Sequence, residues 1–467
     1  MRAVWLGVLC GTTMVVAQSN SIEQKALEIF KELVEINTSS SGGDTTTAAA
    51  AVAARLQKAG FDTSDVQVLG PSPRHGNLVA RLRGSGRRRP ILLLAHLDVV
   101  DARREDWSFD PFTLVEKDGF FYGRGTADDK AMASQFVANV IRLKEEGFRP
   151  DRDLILALTD GEETGDFNGV EWLLKNHRDL IDAEFAINEG GGGVVRNGRY
   201  LANEVQVAEK TYQDFRLEIR NHGGHSALPV KDNAITRLGA ALTRLGSVEF
   251  PIRIGEITRT YLARFASIQT DASLAADMRA VSRPTPDRPA AARLAASSPY
   301  FNALMRTTCV ATMVEGGHAN NALPQVARAI VNCRILPDES PGSVRERLVD
   351  ALADSAIEVT SVGPATETSP PTRLLPGLMD AVESLTKEMF PGVVVVPVMS
   401  TGATDGVFLR NNGIPTYGID ATFGDIDDVR AHGRDERVGV KQYFEGLEFQ
   451  YRLIKALSSG GTRAASR

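Results

Sequence analysis

The stretch "ILLLAHLDVV", residues 91–100, constrains this chain more than any other. It is an apolar run built for a strand buried on both faces, yet it carries His96 and Asp98 near its end. Polar side chains in such a place are costly unless they are hydrogen-bonded, ionised against a partner or bound to a metal. The i, i+2 spacing points both to one side of a strand, so they act on one object.

Further apolar strands at about 77–83, 90–98, 153–159 and 184–188 alternate with helices. One helix is predicted from Ser21 to Ile36, with Ser21 and Gln24 as a capping box and Ile22, Ala26, Ile29, Leu33 and Ile36 on one side. A second is closed by Gly60, and a third runs from Asp128 to about Gly147. This alternation predicts an α/β fold, a three-layer domain with a mostly parallel sheet. From about Thr211 to Gly363 the pattern changes to half-buried strands such as "FRLEI", with two helices near 232–246 and 342–354. That predicts a smaller α+β insert with an antiparallel sheet. After the Pro- and Thr-rich "GPATETSPPTRLLPG", apolar strands resume. The expected organisation is a leader over 1–17, a catalytic domain over 18–210 and 364–467, and an insert over 211–363.

"MRAVWLGVLCGTTMVVAQSN" reads as a signal peptide, with Arg2, an apolar stretch and a small-residue site ending at Ala17. The expectation is export, secreted or periplasmic, without a membrane anchor. Cys309 and Cys333 then remain, either as one bridge or as two buried thiols. A net charge of -6 and the absence of a basic stripe argue against nucleic acid as partner.

Acidic and histidine residues accumulate where the strands end. "YGRGTADDKA" carries Asp128 and Asp129, "LTDGEETG" carries Asp160, Glu162 and Glu163, "AINEGGGG" carries Glu189, and "VRAHGRDE" carries His432. Taken singly, Asp128 reads as a helix cap, the Glu pair as a helix start, and the glycines as a flexible turn. Ligands of open α/β sheets bind at the carboxyl ends of strands, so these loops are expected to converge. Two histidines with three or four carboxylates make the donor set of a two-metal site.

"AHLDVV", "DGFFYGRGTADDK", "DGEETG", "NEGGG", "GHSALP" and "HGRDE" resemble the ordered motifs of the co-catalytic zinc peptidase and deacylase family. That family includes glutamate carboxypeptidase, aminoacylase, carnosinase-like dipeptidases, acetylornithine deacetylase and succinyl-diaminopimelate desuccinylase. The resemblance implies two divalent ions, zinc by preference. His96 and Glu189 would hold one, Glu163 and His432 the other, and Asp128 would bridge. It implies Glu162 as general base and Asp98 as the acceptor that fixes the His96 imidazole. His225 would reach a neighbouring subunit's site in a homodimer formed through the insert. Asn321 and Arg334 would face substrate, and Thr404 and Asp405 would line the pocket. The implied substrate is a small peptide with a free carboxylate or, alternatively, an N-acyl amino acid; a non-catalytic binding protein should lack a ligand or the base, and none is missing. His75, His177, His222 and His318 match no motif. Gly161 stands where the family usually has an acidic residue, Ala131 follows Lys130 in place of glycine, and Asp101 replaces a frequent proline.

Overall fold

The structure, a computed structural model, describes residues 9–163, 167–363 and 368–460, with side chains from Ser21 onward. The chain divides into two compact units. One comprises Met1–Val205, Arg373–Val395 and Asn412–Arg467, and the other Gln206–Thr372 and Val396–Asn411. Residues 396–411, expected with the returning catalytic segment, thus belong to the second unit.

In the first unit the strands lie in the order Val66–Ser72, His75–Leu82, Leu154–Thr159, Ile91–His96, Phe185–Asn188 and Thr416–Gly418. The last four pair in parallel, and the first two add an antiparallel edge. Every residue of Ile91–His96 and of Leu154–Thr159 is buried, which explains why these strands are continuously apolar. The helix Lys130–Glu145 is buried along most of its length between Leu9–Glu35, Val440–Ser458 and the sheet.

One expectation at the N-terminus changes. The first helix runs unbroken through Ser21, from Leu9 to Glu35, so the Ser21–Gln24 capping box is not used; Gln24 bonds instead to Glu28 one turn on. The expected leader lies largely outside the described residues: 1–8 entirely, and the side chains of 9–17. Among the described residues no helix is long and apolar enough to cross a membrane.

The second unit contains an antiparallel sheet in the order Thr308–Gly316, Val326–Ile335, Thr211–Arg220 and Ile357–Val362. Along Thr211–Arg220 burial alternates residue by residue. Phe215, Leu217 and Ile219 face Leu238, Leu245, Val344 and Leu348 of the helices Ala234–Leu245 and Pro341–Leu352. These are the two predicted helices, but four more follow the first. Glu256–Phe265, Ala272–Val281, Arg288–Ser297 and Pro299–Met305 form a helical segment that the sequence reading did not separate from the α+β insert. Cys309 and Cys333 lie directly opposite on paired strands and form a disulfide.

Candidate metal centre

Three parallel strands deliver the site. His96 is the last residue of Ile91–His96, Glu162 and Glu163 follow Leu154–Thr159, and Glu189 follows Phe185–Asn188. Asp128 lies in the loop entering the helix at Lys130, and His432 lies in the loop before Arg437–Gly439. The loops converge. His96 Nε2 is 2.9 Å from Asp128 Oδ1 and 4.0 Å from Glu189 Oε1. On the other side of Asp128, His432 Nε2 is 3.2 Å from Oδ2 and 2.9 Å from Glu163 Oε1.

Donor atoms of His96, Asp128 and Glu189 lie within 4.8 Å of one another, as do those of Asp128, Glu163 and His432. A third group joins His96, Glu162 and Glu163. Asp128 is shared by the first two, the arrangement that a bridging carboxylate needs.

The electrostatics point the same way. Burial and the neighbouring charges of Glu162 and Asp128 push the Glu189 carboxyl well above its ordinary range. Burial acts likewise on Asp128, but hydrogen bonds from His432 and His96 overcome it and hold that carboxyl very low. His432 is raised to about 10 by its bonds to Asp128 and Glu163. His96 is raised despite complete burial, because Asp128 and Asp98 favour its charged form. Carboxylates crowd around the two imidazoles, and these nitrogen and oxygen donors suit divalent cations.

Asp128 is not a helix cap, and the glycine run is not a loose turn. The residue at the helix N-cap is Asp129, without a side-chain capping bond, so Asp128 is free of that task. The glycine run after Glu189 is closely packed: a Cβ on Gly191 would meet the Gly418 carbonyl oxygen at 2.2 Å. Gly161, the departure from the family's acidic residue, has φ +83, and a Cβ there would lie 2.1 Å from the Phe167 carbonyl oxygen. Only glycine fits that turn without strain. Asp160 points elsewhere, bonding Thr45 at 2.8 Å and His75 Nδ1 at 2.6 Å. His75 therefore has a partner beside the base loop that no motif announced.

Asp98 stands beside His96 with two acceptors. The nearest acceptor for His96 Nδ1 is the Asp98 backbone carbonyl at 2.9 Å, while the carboxylate oxygen stands 3.6 Å away. The carboxylate instead accepts the backbone N–H groups of Glu162 and Glu163, at 3.2 and 2.9 Å. A carboxylate is the natural acceptor for two converging N–H donors.

The second unit holds the remaining candidates. Arg334 is half-buried, with its guanidinium 4.7 Å from the centre of the Tyr212 ring and no ion pair among the described residues. Burial lowers its pKa. His225 and Asn321 are exposed; His225 Nδ1 accepts the Ala227 N–H and the Asn321 carbonyl accepts the Ser226 N–H. Thr404 donates to Glu209 at 2.8 Å and accepts from the Gly406 N–H at 3.1 Å. Asp405 is buried. Arg124 and Glu436, inside the motif segments, were not among the candidates, although a buried charge pair had to be satisfied somewhere.

Known proteins resemble this chain in sequence and in fold. The description "Peptidase family M20/M25/M40" matches residues 92–456. Human N-fatty-acyl-amino acid synthase/hydrolase PM20D1 is 29% identical over 376 residues, covering 79% of this chain and 74% of that protein. Probable carboxypeptidase S-like 2 of Dictyostelium discoideum is 28% identical over 376 residues, covering 79% and 71%. Among solved structures, the M20 family metallo-carboxypeptidase Sso-CP2 from Sulfolobus solfataricus superposes with a TM-score of 0.72 at 18% identity, over 92% of this chain and 99% of that one.

Proposed function

Since the chain belongs to peptidase family M20/M25/M40, we propose that it is a two-metal amide hydrolase that frees an amino acid from the acyl or peptidyl group on its nitrogen. The observation that carries this reading is the pair of donor groups sharing Asp128, with Glu162 beside them. His96, Asp128 and Glu189 would hold one divalent ion, and Asp128, Glu163 and His432 the other, with zinc favoured by the donors. When bound, the ions would supply Lewis acidity to a water and to the amide carbonyl. Glu162 then takes the proton of the attacking water and returns it to the leaving nitrogen. Asp98 fixes the turn from which Glu162 projects. Arg334, half-buried and without an ion pair among the described residues, suits a bidentate grip on a substrate's free carboxylate. His225 keeps its Nε2 for an oxyanion, the role a homodimer would give it.

The acyl side separates two forms of the proposal. A peptidyl group makes the protein an exopeptidase, a carboxypeptidase or dipeptidase. A fatty acyl or other simple acyl group makes it an N-acyl-amino-acid deacylase, a reading favoured by the likeness to PM20D1. The Cys309–Cys333 disulfide suits an oxidising compartment and supports export through residues 1–17. A hydrolysis panel tests the proposal: dipeptides, longer peptides and N-acyl amino acids, each with a free and an amidated carboxyl end. Cleavage confined to free carboxylates is expected. Equal cleavage of amidated substrates would remove the role of Arg334.

A further inference from the structure

The loops bearing Asp128 and His432 come from opposite ends of the chain, and neither lies in a helix or strand. Something must hold them in register, because His432 Nε2 must stay within a few ångströms of both Asp128 and Glu163. His432 also adopts φ +62, a left-handed backbone that persists in a non-glycine residue only when its surroundings over-determine it.

Glu436 supplies those surroundings together with Arg124. One Glu436 carboxylate oxygen accepts the backbone N–H groups of Ala127 and Asp128, at 2.7 and 3.1 Å. The other receives Arg124 Nη1 at 2.5 Å, across 312 residues of sequence. Arg124 Nη2 reaches the His432 carbonyl oxygen at 3.4 Å, and the guanidinium lies over the Trp107 ring. The Glu436 carbonyl oxygen accepts the Gly123 N–H at 3.1 Å. Both side chains are buried, with 3% and 0% exposure. A buried ion pair is a poor route to stability, since desolvation offsets most of its Coulomb gain and an apolar pair serves as well. Its bonds here run to the backbones of two metal-ligand residues.

We propose that Arg124 and Glu436 are positioning residues that lock the bridging carboxylate and the His432 loop together, so that ion affinity depends on them. The inference rests on the two-metal reading above. Partners that orient metal ligands typically contribute about 10- to 100-fold in affinity.

The test is Zn2+ titration of the metal-free full-length protein against a competing chromophoric chelator, with melting temperature measured in parallel. Wild-type protein is expected to bind two ions. Glu436→Gln keeps one acceptor oxygen but turns an amide against Arg124, and is expected to weaken both ions by about 10- to 100-fold. Arg124→Lys keeps a cation for Glu436 but loses the arm to His432, so one ion should weaken and the other should not. The double variant Arg124→Met/Glu436→Met removes the pair without leaving a lone buried charge, and decides the matter if Glu436→Gln does not fold. A double variant that melts like wild type but binds Zn2+ more weakly supports the proposal. Any folded variant of Glu436 with both ions at wild-type affinity overturns it, as does a lowered melting temperature with unchanged affinity. Wild-type protein that takes up no Zn2+ would overturn the metal reading and this role with it.

Discussion

Replacing Asp98 by Asn distinguishes two roles for this residue. If its carboxylate chiefly orients His96, the variant should lose affinity for the ion held by His96, by about 10- to 100-fold. The geometry argues otherwise, because His96 Nδ1 bonds to the Asp98 backbone carbonyl, which the substitution leaves in place. What Asn removes is one of two charged acceptors for the Glu162 and Glu163 N–H groups. Its oxygen can accept one of them, while its NH2 faces the other donor. Hydrogen bonds to charged groups contribute about 1.5–3 kcal/mol each, so the turn carrying the base loses about 2–3 kcal/mol of restraint. If all of this reaches the transition state, kcat falls about 30- to 150-fold. The assay is steady-state hydrolysis of a good substrate at saturating metal, with Zn2+ titration alongside. Weakened metal binding with normal kcat once resaturated would show instead that the Asp98 carboxylate chiefly orients His96.

Other consequences follow from the same geometry. Glu162→Gln should lower kcat by about 10²- to 10⁴-fold with metal content unchanged, as read by turnover and elemental analysis. Gly161→Ala puts a Cβ against the Phe167 carbonyl at a positive φ, a strain of about 1–3 kcal/mol, and should lower both melting temperature and kcat. Removing the Cys309–Cys333 bridge, which spans 24 residues, should cost about 3 kcal/mol in the second unit, measured by urea unfolding of Cys309→Ser/Cys333→Ser with an unfolding probe confined to that unit. The His432 pKa of about 10 means that in metal-free protein at pH 7 the imidazole is protonated. Metal uptake must displace that proton, so affinity should rise with pH until about 10, and calorimetry in buffers of different ionisation enthalpy should register the proton released.

Much of the first unit was legible because its strands are buried on both faces, and burial writes itself as uninterrupted apolar sequence around His96, Leu154–Thr159 and Phe185–Asn188. The same logic exposed the site, since carboxylates and histidines at the ends of such strands demand an explanation. The helices of 256–305 were hidden for a physical reason. They are ten residues or shorter, and three of them are marked by side-chain caps at their starts, Asp271, Asp287 and Ser298, rather than by a long apolar periodicity. The continuation of the first helix through Ser21 was hidden by the capping box that resembles a helix start. Asp98 shows a different limit: the i, i+2 spacing placed it beside His96 correctly, but which acceptor serves Nδ1 depends on a loop conformation that spacing does not encode. Arg124 and Glu436 lie in the motifs themselves, yet their pairing joins positions 312 apart and appears only in three dimensions.

His96, Asp128, Glu163, Glu189 and His432 are proposed to hold two metal ions that drive amide hydrolysis. Elemental analysis of reconstituted protein, paired with hydrolysis of an N-acyl amino acid and a dipeptide before and after chelation, tests it most directly. Two ions per chain, activity lost with a chelator, and activity restored by Zn2+ or another divalent ion are expected. Hydrolysis that persists in metal-free protein, or a reconstituted chain that binds no ion, would contradict it.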